Sequence, residues 1–404
     1  MKLYDLAVIG GGPAGAICAR DAAEAGLDVV LLEKAHHPRE KPCGGALGPR
    51  AIRSIDFDIS NVIERTFHAA LVYTPSMRKV ILTSEELIGY LVTRSKLDLF
   101  LLQKAEEAGA EVVQGTQVVG IEQTRTGIRA LSVGDSYKSH LLVGADGVNG
   151  IIARELGIRS KWAPDQVALC ISAEVPVSQS DLKSAMITHE SNGSPVIEMY
   201  FNLLSWGYGW CFPKKNGFSI GIGCRMDKQE NLQQSWERLI ELIEVEKEIE
   251  IDTSNKVSYR VPLGGKLNRY IARRSMLVGD AAGLVSPLTG EGISYAIQSG
   301  KLAAKIASEA VEMRAPLHVA EYENQLKKTV ERELVDTRWI SEVLHKSKRH
   351  TDLLFEIVDE DPLMRKYMTN IVSRITTFSD IRGKVGKRML SKHPLKSIRL
   401  GLKG

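Results

Sequence analysis

The chain has 404 residues, of which 44% are hydrophobic and 25% charged, enough for two or three packed units with a substantial core. Cys18, Cys43, Cys170, Cys211 and Cys224 are odd in number and form no CxxC pair, so neither a disulfide framework nor a zinc site is suggested, and reduced thiols in a cytoplasm are expected. No secretion-signal pattern precedes the strand-like LYDLAVIG, no apolar run reaches the roughly 18 to 20 residues that span a bilayer, and the net charge is only +4, so a soluble or peripheral protein is expected.

In chain order, LAVIG-GGPAG-AICARDAAEAG-LDVVLLEK predicts strand, turn, helix, turn, strand, with Ala16, Ala19, Ala22 and Ala23 making a small-residue helical face. Gly10, Gly12 and Gly15 fill GxGxxG within it. The first suits a tight turn, the second backbone approach to a pyrophosphate, and the third close helix–sheet packing. Glu33 lies 18 residues beyond Gly15, at the end of the second strand, where a carboxylate can accept ribose hydroxyls. A dinucleotide site is therefore expected here. Next comes KPCGGALGPR, Lys41 to Arg50, a thiol set between proline and paired glycines in a loop able to press its backbone on a ligand.

LLVGADGVNG, Leu141 to Gly150, reads as a buried strand ending in a glycine-rich turn that holds Asp146 and Gly147. Further on, VALCISAEVPV, AMITHES, VIEMYFNL, GYGWCFP, GFSIGIG and KVSYRVPL alternate strand patterns with turns and read as an antiparallel sheet. Within GYGWCFP an extended backbone puts Tyr208, Trp210 and Phe212 on one face, with Gly207 and Gly209 leaving space between them and Cys211 pointing away as packing. Such a face suits a long apolar substrate, or fills the core of a sheet. SMLVGDAAGLVSPLTGEGISYAIQSG then places a third strand before a long helix. Asp280 follows that strand, and Gly290, Glu291, Gly292 and Ile293 open a helix whose free N–H groups favour negative charge. A reduced flavin carries such charge and a nicotinamide does not, so FAD is the expected cofactor.

From Ala310 onward the pattern is helical and charged. After Asp380 come Arg382, Lys384, Lys387, Arg388, Lys392, Lys396, Arg399 and Lys403 with no acid, so this tail carries +8 and the remainder −4. Interleaved Val385, Met389, Leu390, Leu395, Ile398, Leu400 and Leu402 suit anionic headgroups, or equally a helical terminus packed on its own protein. Nucleic acid is not an expected partner, because no aromatic stacking platform or groove-reading motif accompanies the charge. The expected place is the cytoplasm, peripheral on the inner membrane face.

GGGPAG with Glu33, GADG at Gly144 to Gly147 and GDAAG at Gly279 to Gly283 occur in the order and spacing of the FAD-dependent hydroxylase and geranylgeranyl reductase superfamily, which the chain resembles over nearly its whole length. Two motifs point to one branch. KPCGGAL resembles the cysteine–glycine loop of geranylgeranyl reductases, and SWGYGWCFPKKNGFSIGIG resembles their YxWxFP signature through Tyr208, Trp210, Phe212 and Pro213. The resemblance implies an α/β fold, α+β overall: a Rossmann-like FAD-binding domain from 1–60, 85–158 and 266–308, an antiparallel-sheet substrate domain from 61–84 and 159–265, and a helical region from 309–404.

It also implies FAD contacts from Ala14, Lys34, Cys43, Gly44, Gly45, Ala46 and Val118 beside the motif residues above, and from Arg94 in YLVTRSKLD, braced by Asp98. Cys43 and Tyr208 become candidate catalytic groups, and Tyr208, Trp210 and Phe212 candidate contacts for a long isoprenoid lipid. The expected reaction saturates C=C bonds of a geranylgeranyl chain on a lipid, diphosphate, quinone or tetrapyrrole ester. The rival is a flavin monooxygenase or halogenase, although GYGWCFP departs from the GWxWxIP form of halogenases. Outside enzymes, a flavoprotein that only shuttles electrons at a membrane is the remaining reading. No second GxGxxG unit is present, so NAD(P)H bound beside the flavin or a ferredoxin is the expected donor.

Overall fold

The computed structural model describes residues 2–84, 86–186, 195–228, 231–266, 269–373 and 375–401. Its largest sheet is centred on Leu3–Ile9, which pairs in parallel with Val29–Glu33 on one side and Ser136–Gly144 on the other. Glu111–Gln114 and Ser275–Leu277 extend it outward, also in parallel. Leu6, Ala7 and Val8 have no exposed surface, as a parallel sheet covered on both faces requires. Ile9 sits level with Leu32 and with Gly144, so three strands end together and open one crevice.

Small residues bring the helices onto this sheet and onto one another. Helix Pro13–Glu24 packs against helix Ile293–Glu312 so closely that a side-chain carbon on Gly300 would fall 2.4 Å from the Ala14 carbonyl oxygen. A feature the sequence reading did not anticipate is a meander, Val118–Gln123 and Ile128–Ser132, that pairs antiparallel onto Ser136–Gly144.

The second sheet has seven strands, in the order Val257–Pro262, Val167–Pro176, Gly217–Arg225, Gly207–Pro213, Val196–Tyr200, Ala69–Tyr73 and Lys79–Thr83. All neighbours are antiparallel except one pair, Val196–Tyr200 with Ala69–Tyr73, which runs parallel and corrects the expectation of a wholly antiparallel sheet. Helix Leu232–Lys247 covers one face through Trp236, Leu239 and Ile243. Ala46–Leu47, Gly89–Val92 and Ile63–Phe67 form a separate small sheet. Of the AMITHES stretch, Ala185 ends the helix Gln179–Ala185 instead of starting a strand, and 187–191 lie outside the described residues.

The C-terminal helices include Arg332–Leu344, Lys348–Glu360, Pro362–Val372, Phe378–Lys392 and Pro394–Arg399. Asp361 ties the last three together. It caps Leu363 N and Met364 N and accepts from Arg388 Nε at 2.8 Å and His393 Nε2 at 3.0 Å. The Arg388 bond is the main cause that holds its carboxyl well below the ordinary range. Arg382 pairs with Asp336, and Lys396 with Glu356 and Glu360. Part of the basic tail is thus folded back on the protein's own acids.

Candidate active site

The crevice at the ends of the three parallel strands is shaped by backbone. Gly10 adopts φ +111° and has the Ala145 carbonyl oxygen 2.4 Å from where a Cβ would stand, so only glycine fits. A Cβ on Gly15 would sit 1.9 Å from the Gly10 carbonyl oxygen. Gly15 therefore packs helix on strand and does not line the cavity, whereas Gly12 borders it beside Ala14. Gly12 precedes the helix without a side-chain cap, leaving the first-turn N–H groups toward the crevice. Glu33 is 4% exposed, and its two oxygens accept Gly11 N at 2.6 Å and Ala35 N at 2.9 Å, which fixes the carboxylate at the cavity wall.

The cavity there has a volume of ≈ 390 Å³, and Lys34, Val118, Asp146, Gly147 and Asp280 also reach it. Asp146 accepts from Ile152 N through one oxygen, while its buried Oδ1 has no hydrogen-bond partner in the protein. Burial raises its pKa. Gly292 precedes helix Ile293–Glu312, and among the described residues the N–H groups of Gly292 and Ile293 have no acceptor. A lone carboxylate oxygen, a glycine-lined strand end and two helix N-termini are a donor and acceptor set that fits FAD.

Arg94 and Asp98 are buried, which excludes a solvated face for this segment. Their pairing is bidentate, 2.7 Å from Nε and 2.7 Å from Nη2. Burial opposes the Arg94 charge, and Asp98 outweighs it, so the guanidinium stays protonated. Arg39 joins the same carboxylate at 3.2 Å. It borders the cavity together with Lys41, whose ammonium lies 3.7 Å from the Tyr259 ring centroid and 3.6 Å from Asp280. The sequence reading assigned a role to neither; Lys41 opens the cysteine loop and Arg39 stands two residues before it.

Cys43, Gly290, Gly292 and Ile293 line both this cavity and an adjoining one of ≈ 230 Å³, and the second also receives Gly44, Gly45 and Ala46. Tyr208, Trp210 and Phe212 form its opposite wall from one face of their strand, and Cys211 lies buried on the other face. A Cβ on Gly44 would lie 2.8 Å from the Phe212 ring and 3.3 Å from Trp210 Nε1, so the cysteine loop and the aromatic strand are in contact. The Tyr208 hydroxyl donates to the Thr289 carbonyl oxygen, and burial pushes its pKa well up, so the phenol keeps its proton.

The space expected between the aromatic rings does not come from Gly207 and Gly209, the glycines that flank Tyr208. A Cβ on Gly209 would meet Leu239 at 3.0 Å and one on Gly207 would meet the Gly223 carbonyl oxygen at 1.9 Å, so both serve the opposite side of the sheet. Room for Trp210 comes from the neighbouring strand, where a Cβ on Gly221 would stand 2.1 Å from the indole.

Beyond the aromatic wall lies a third cavity of ≈ 680 Å³, strongly apolar, which shares Met199, Leu288, Thr289 and Val372 with the second. Its walls come mainly from the C-terminal helices. Met364, Tyr367, Met368 and Ile371 line it at i, i+3, i+4, i+7 spacing, an apolar helix face that the sequence reading did not single out.

A parallel sheet with this cradle and these helix N-termini defines a flavoprotein, and residues 4–337 match the FAD binding domain family. The digeranylgeranylglycerophospholipid reductase 1 of Methanopyrus kandleri is 32% identical over 329 residues, 76% of this chain and 81% of that one. The geranylgeranyl diphosphate reductase of Rhodobacter capsulatus is 32% identical over 319 residues, 78% and 77% of the two chains. The crystal structure of a geranylgeranyl bacteriochlorophyll reductase-like protein from Thermoplasma acidophilum superposes with TM-score 0.83 at 26% identity, over 99% of each chain. A flavin-dependent brominase shares the fold at TM-score 0.71 and 18% identity, over 92% of this chain and 94% of that one. The chain belongs to the geranylgeranyl reductase family of FAD-dependent oxidoreductases.

Proposed function

We propose that the protein saturates C=C bonds of a geranylgeranyl chain, carried on a headgroup such as a glycerophospholipid or a diphosphate. The observation that carries this reading is the contact of Cys43-Gly44-Gly45 with the Tyr208, Trp210 and Phe212 face at the junction of two cavities, one polar and one leading into the ≈ 680 Å³ apolar chamber. FAD, when bound, supplies hydride. An isolated trisubstituted alkene also needs a proton at its second carbon, because no conjugated carbonyl absorbs charge. The proton is assigned to Cys43 Sγ, which borders both cavities. Tyr208 keeps its own on Thr289 and orients the wall. The three rings and the apolar chamber hold the chain, exclude water and align successive double bonds.

The same reading places the protein on a membrane surface in the cytoplasm. Leu390, Leu395 and Ile398 are exposed, the last two 71% each, and Lys384, Lys387 and Lys392 stand among them. Among the described residues no helix is long and apolar enough to cross a bilayer, so attachment would be peripheral, by apolar insertion and headgroup attraction. NAD(P)H or a ferredoxin supplies the electrons.

The test is an anaerobic incubation of dithionite-reduced holoenzyme with geranylgeranyl phospholipid and geranylgeranyl diphosphate, read by mass spectrometry. The expected products gain mass in steps of two hydrogens as the flavin reoxidises. Unchanged chains with both headgroups, or an oxygenated product once air is admitted, would sink the proposal.

A further inference from the structure

Lys214 directly follows the aromatic strand, yet it is 4% exposed. Its ammonium points inward and donates to Gly44 O at 2.7 Å and to Val92 O at 2.6 Å. Glu174 and Glu64 reach it only through space, and burial, the largest influence, lowers its pKa. Placing an ammonium on neutral carbonyls in the interior carries a desolvation cost that an apolar residue would not incur. The bonds it makes show what it holds.

Gly44 O belongs to the same peptide group as the N–H of Gly45. That N–H donates to Cys43 Sγ at 3.3 Å. In a trans peptide the oxygen and the N–H point to opposite sides of one rigid plane, so the group that anchors the oxygen also aims the N–H. A cationic donor at the oxygen further polarises the amide and strengthens its bond to sulfur. The surroundings lock the plane in place. Val92 N donates back to Gly45 O at 2.9 Å, and Ser219 Oγ donates to Cys43 O at 3.4 Å. Gly45 has φ +71°, and a Cβ there would stand 2.4 Å from the ammonium nitrogen and 2.0 Å from Val92 O.

We propose that Lys214 is a positioning residue for the Cys43 thiol, acting through the Gly44–Gly45 peptide to keep an N–H on the sulfur and to stabilise negative charge there when the proton leaves. The proposal builds on the reading of Cys43 as the proton-bearing group, but its test needs no lipid.

FAD-loaded wild type, Lys214→Met and Lys214→Gln are alkylated with iodoacetamide at pH 7, and the modified peptide is quantified by mass spectrometry, with Cys43→Ser as the blank. Cys18, Cys211 and Cys224 are buried, and half-buried Cys170, whose thiol pKa burial pushes up, lies on a different peptide, so its labelling is counted separately from that of Cys43. Loss of the ammonium slows Cys43 alkylation about tenfold in Lys214→Met, the effect of one hydrogen bond to a charged group, and less in Lys214→Gln, which keeps a donor. Lys214→Arg, which keeps charge and donors, recovers most of the rate. Bound-flavin absorbance verifies that each variant is folded. Should Lys214→Met fail to fold, Lys214→Gln carries the test.

Wild-type alkylation rates in folded Met or Gln variants would overturn the proposal. Slowed alkylation in an enzyme that reduces no geranylgeranyl substrate would leave the role of Lys214 standing and remove the reductase reading. Unchanged alkylation in an enzyme that does reduce its lipid would do the reverse.

Discussion

In the dinucleotide cradle, the side chains missing at Gly10 and Gly15 let backbone meet backbone, whereas in the aromatic cavity those missing at Gly221 and Gly44 are replaced by the protein's own rings, Trp210 and Phe212. The backbone at these strand ends is pinned by Gly10 N to Leu32 O and Ala145 N to Ile9 O, both 2.8 Å, so its carbonyl groups cannot retreat. Ring edges can tilt. The first region therefore tolerates no added carbon, and the second responds in degrees.

The sharpest test of this contrast is Gly15→Ala, whose methyl would stand 1.9 Å from the Gly10 carbonyl oxygen. The purified variant is expected to carry little or no flavin, read from its visible absorbance; full flavin content would contradict the rigidity of the cradle. Next comes Asp98→Ala, which leaves buried Arg94 without its bidentate partner and should cost about 3–5 kcal/mol in urea denaturation. A loss below about 1 kcal/mol would show that water reaches the guanidinium.

His345 tests the aromatic side by pH. It lies between Phe201 and Trp206, with ring centroids 5.9 Å from each. Burial, with Arg225 nearby, lowers its pKa from 6.5 to about 4. The unfolded chain therefore takes up a proton before the folded one does. Its contribution is complete above the unfolded pKa and is lost as pH falls toward about 4, an acid penalty of up to about 3 kcal/mol. His345→Phe should lose less stability than wild type between pH 7 and pH 4.5, and parallel losses would refute the assignment.

Gly221→Ala is expected to cost about 1–3 kcal/mol and to shift Trp210 fluorescence, with flavin retained. A variant that loses flavin as readily as Gly15→Ala would erase the distinction between the two regions. The smallest effect on stability concerns the surface. Replacing Lys384, Lys387 and Lys392 by Glu should change folding by less than about 0.5 kcal/mol. Binding to anionic liposomes should still weaken by about 1 kcal/mol per lysine removed. Equal sedimentation of both forms would leave the tail a purely structural element. Truncation is a poorer test, because Met389 and Leu400 are core residues.

The cradle was legible because its requirements are local. A glycine spacing after a β-branched run, with an acid at the end of the next strand, states a backbone path and a charge within thirty residues, and the crevice follows from parallel pairing. The alternation that put Tyr208, Trp210 and Phe212 on one face was legible for the same reason. What faced them was not. Gly221 belongs to a strand whose register against Gly207–Pro213 no local pattern specifies, so the source of Trp210's space was assigned to the wrong glycines. Pairing direction was equally hidden, hence the unforeseen parallel contact of Val196–Tyr200 with Ala69–Tyr73.

By itself, the sequence determined the strand, turn, helix and strand of the cradle, the cofactor class, and the face on which the aromatic residues stand, because periodicity and backbone freedom are properties of neighbours in the chain. Only the tertiary structure decided that Lys214 and Arg39 turn inward, that Arg388 and Lys396 bind the protein's own acids, and that the C-terminal helices enclose an apolar chamber. Whether a charge is solvated or buried, and which surface an apolar helix face meets, depends on partners far away in sequence.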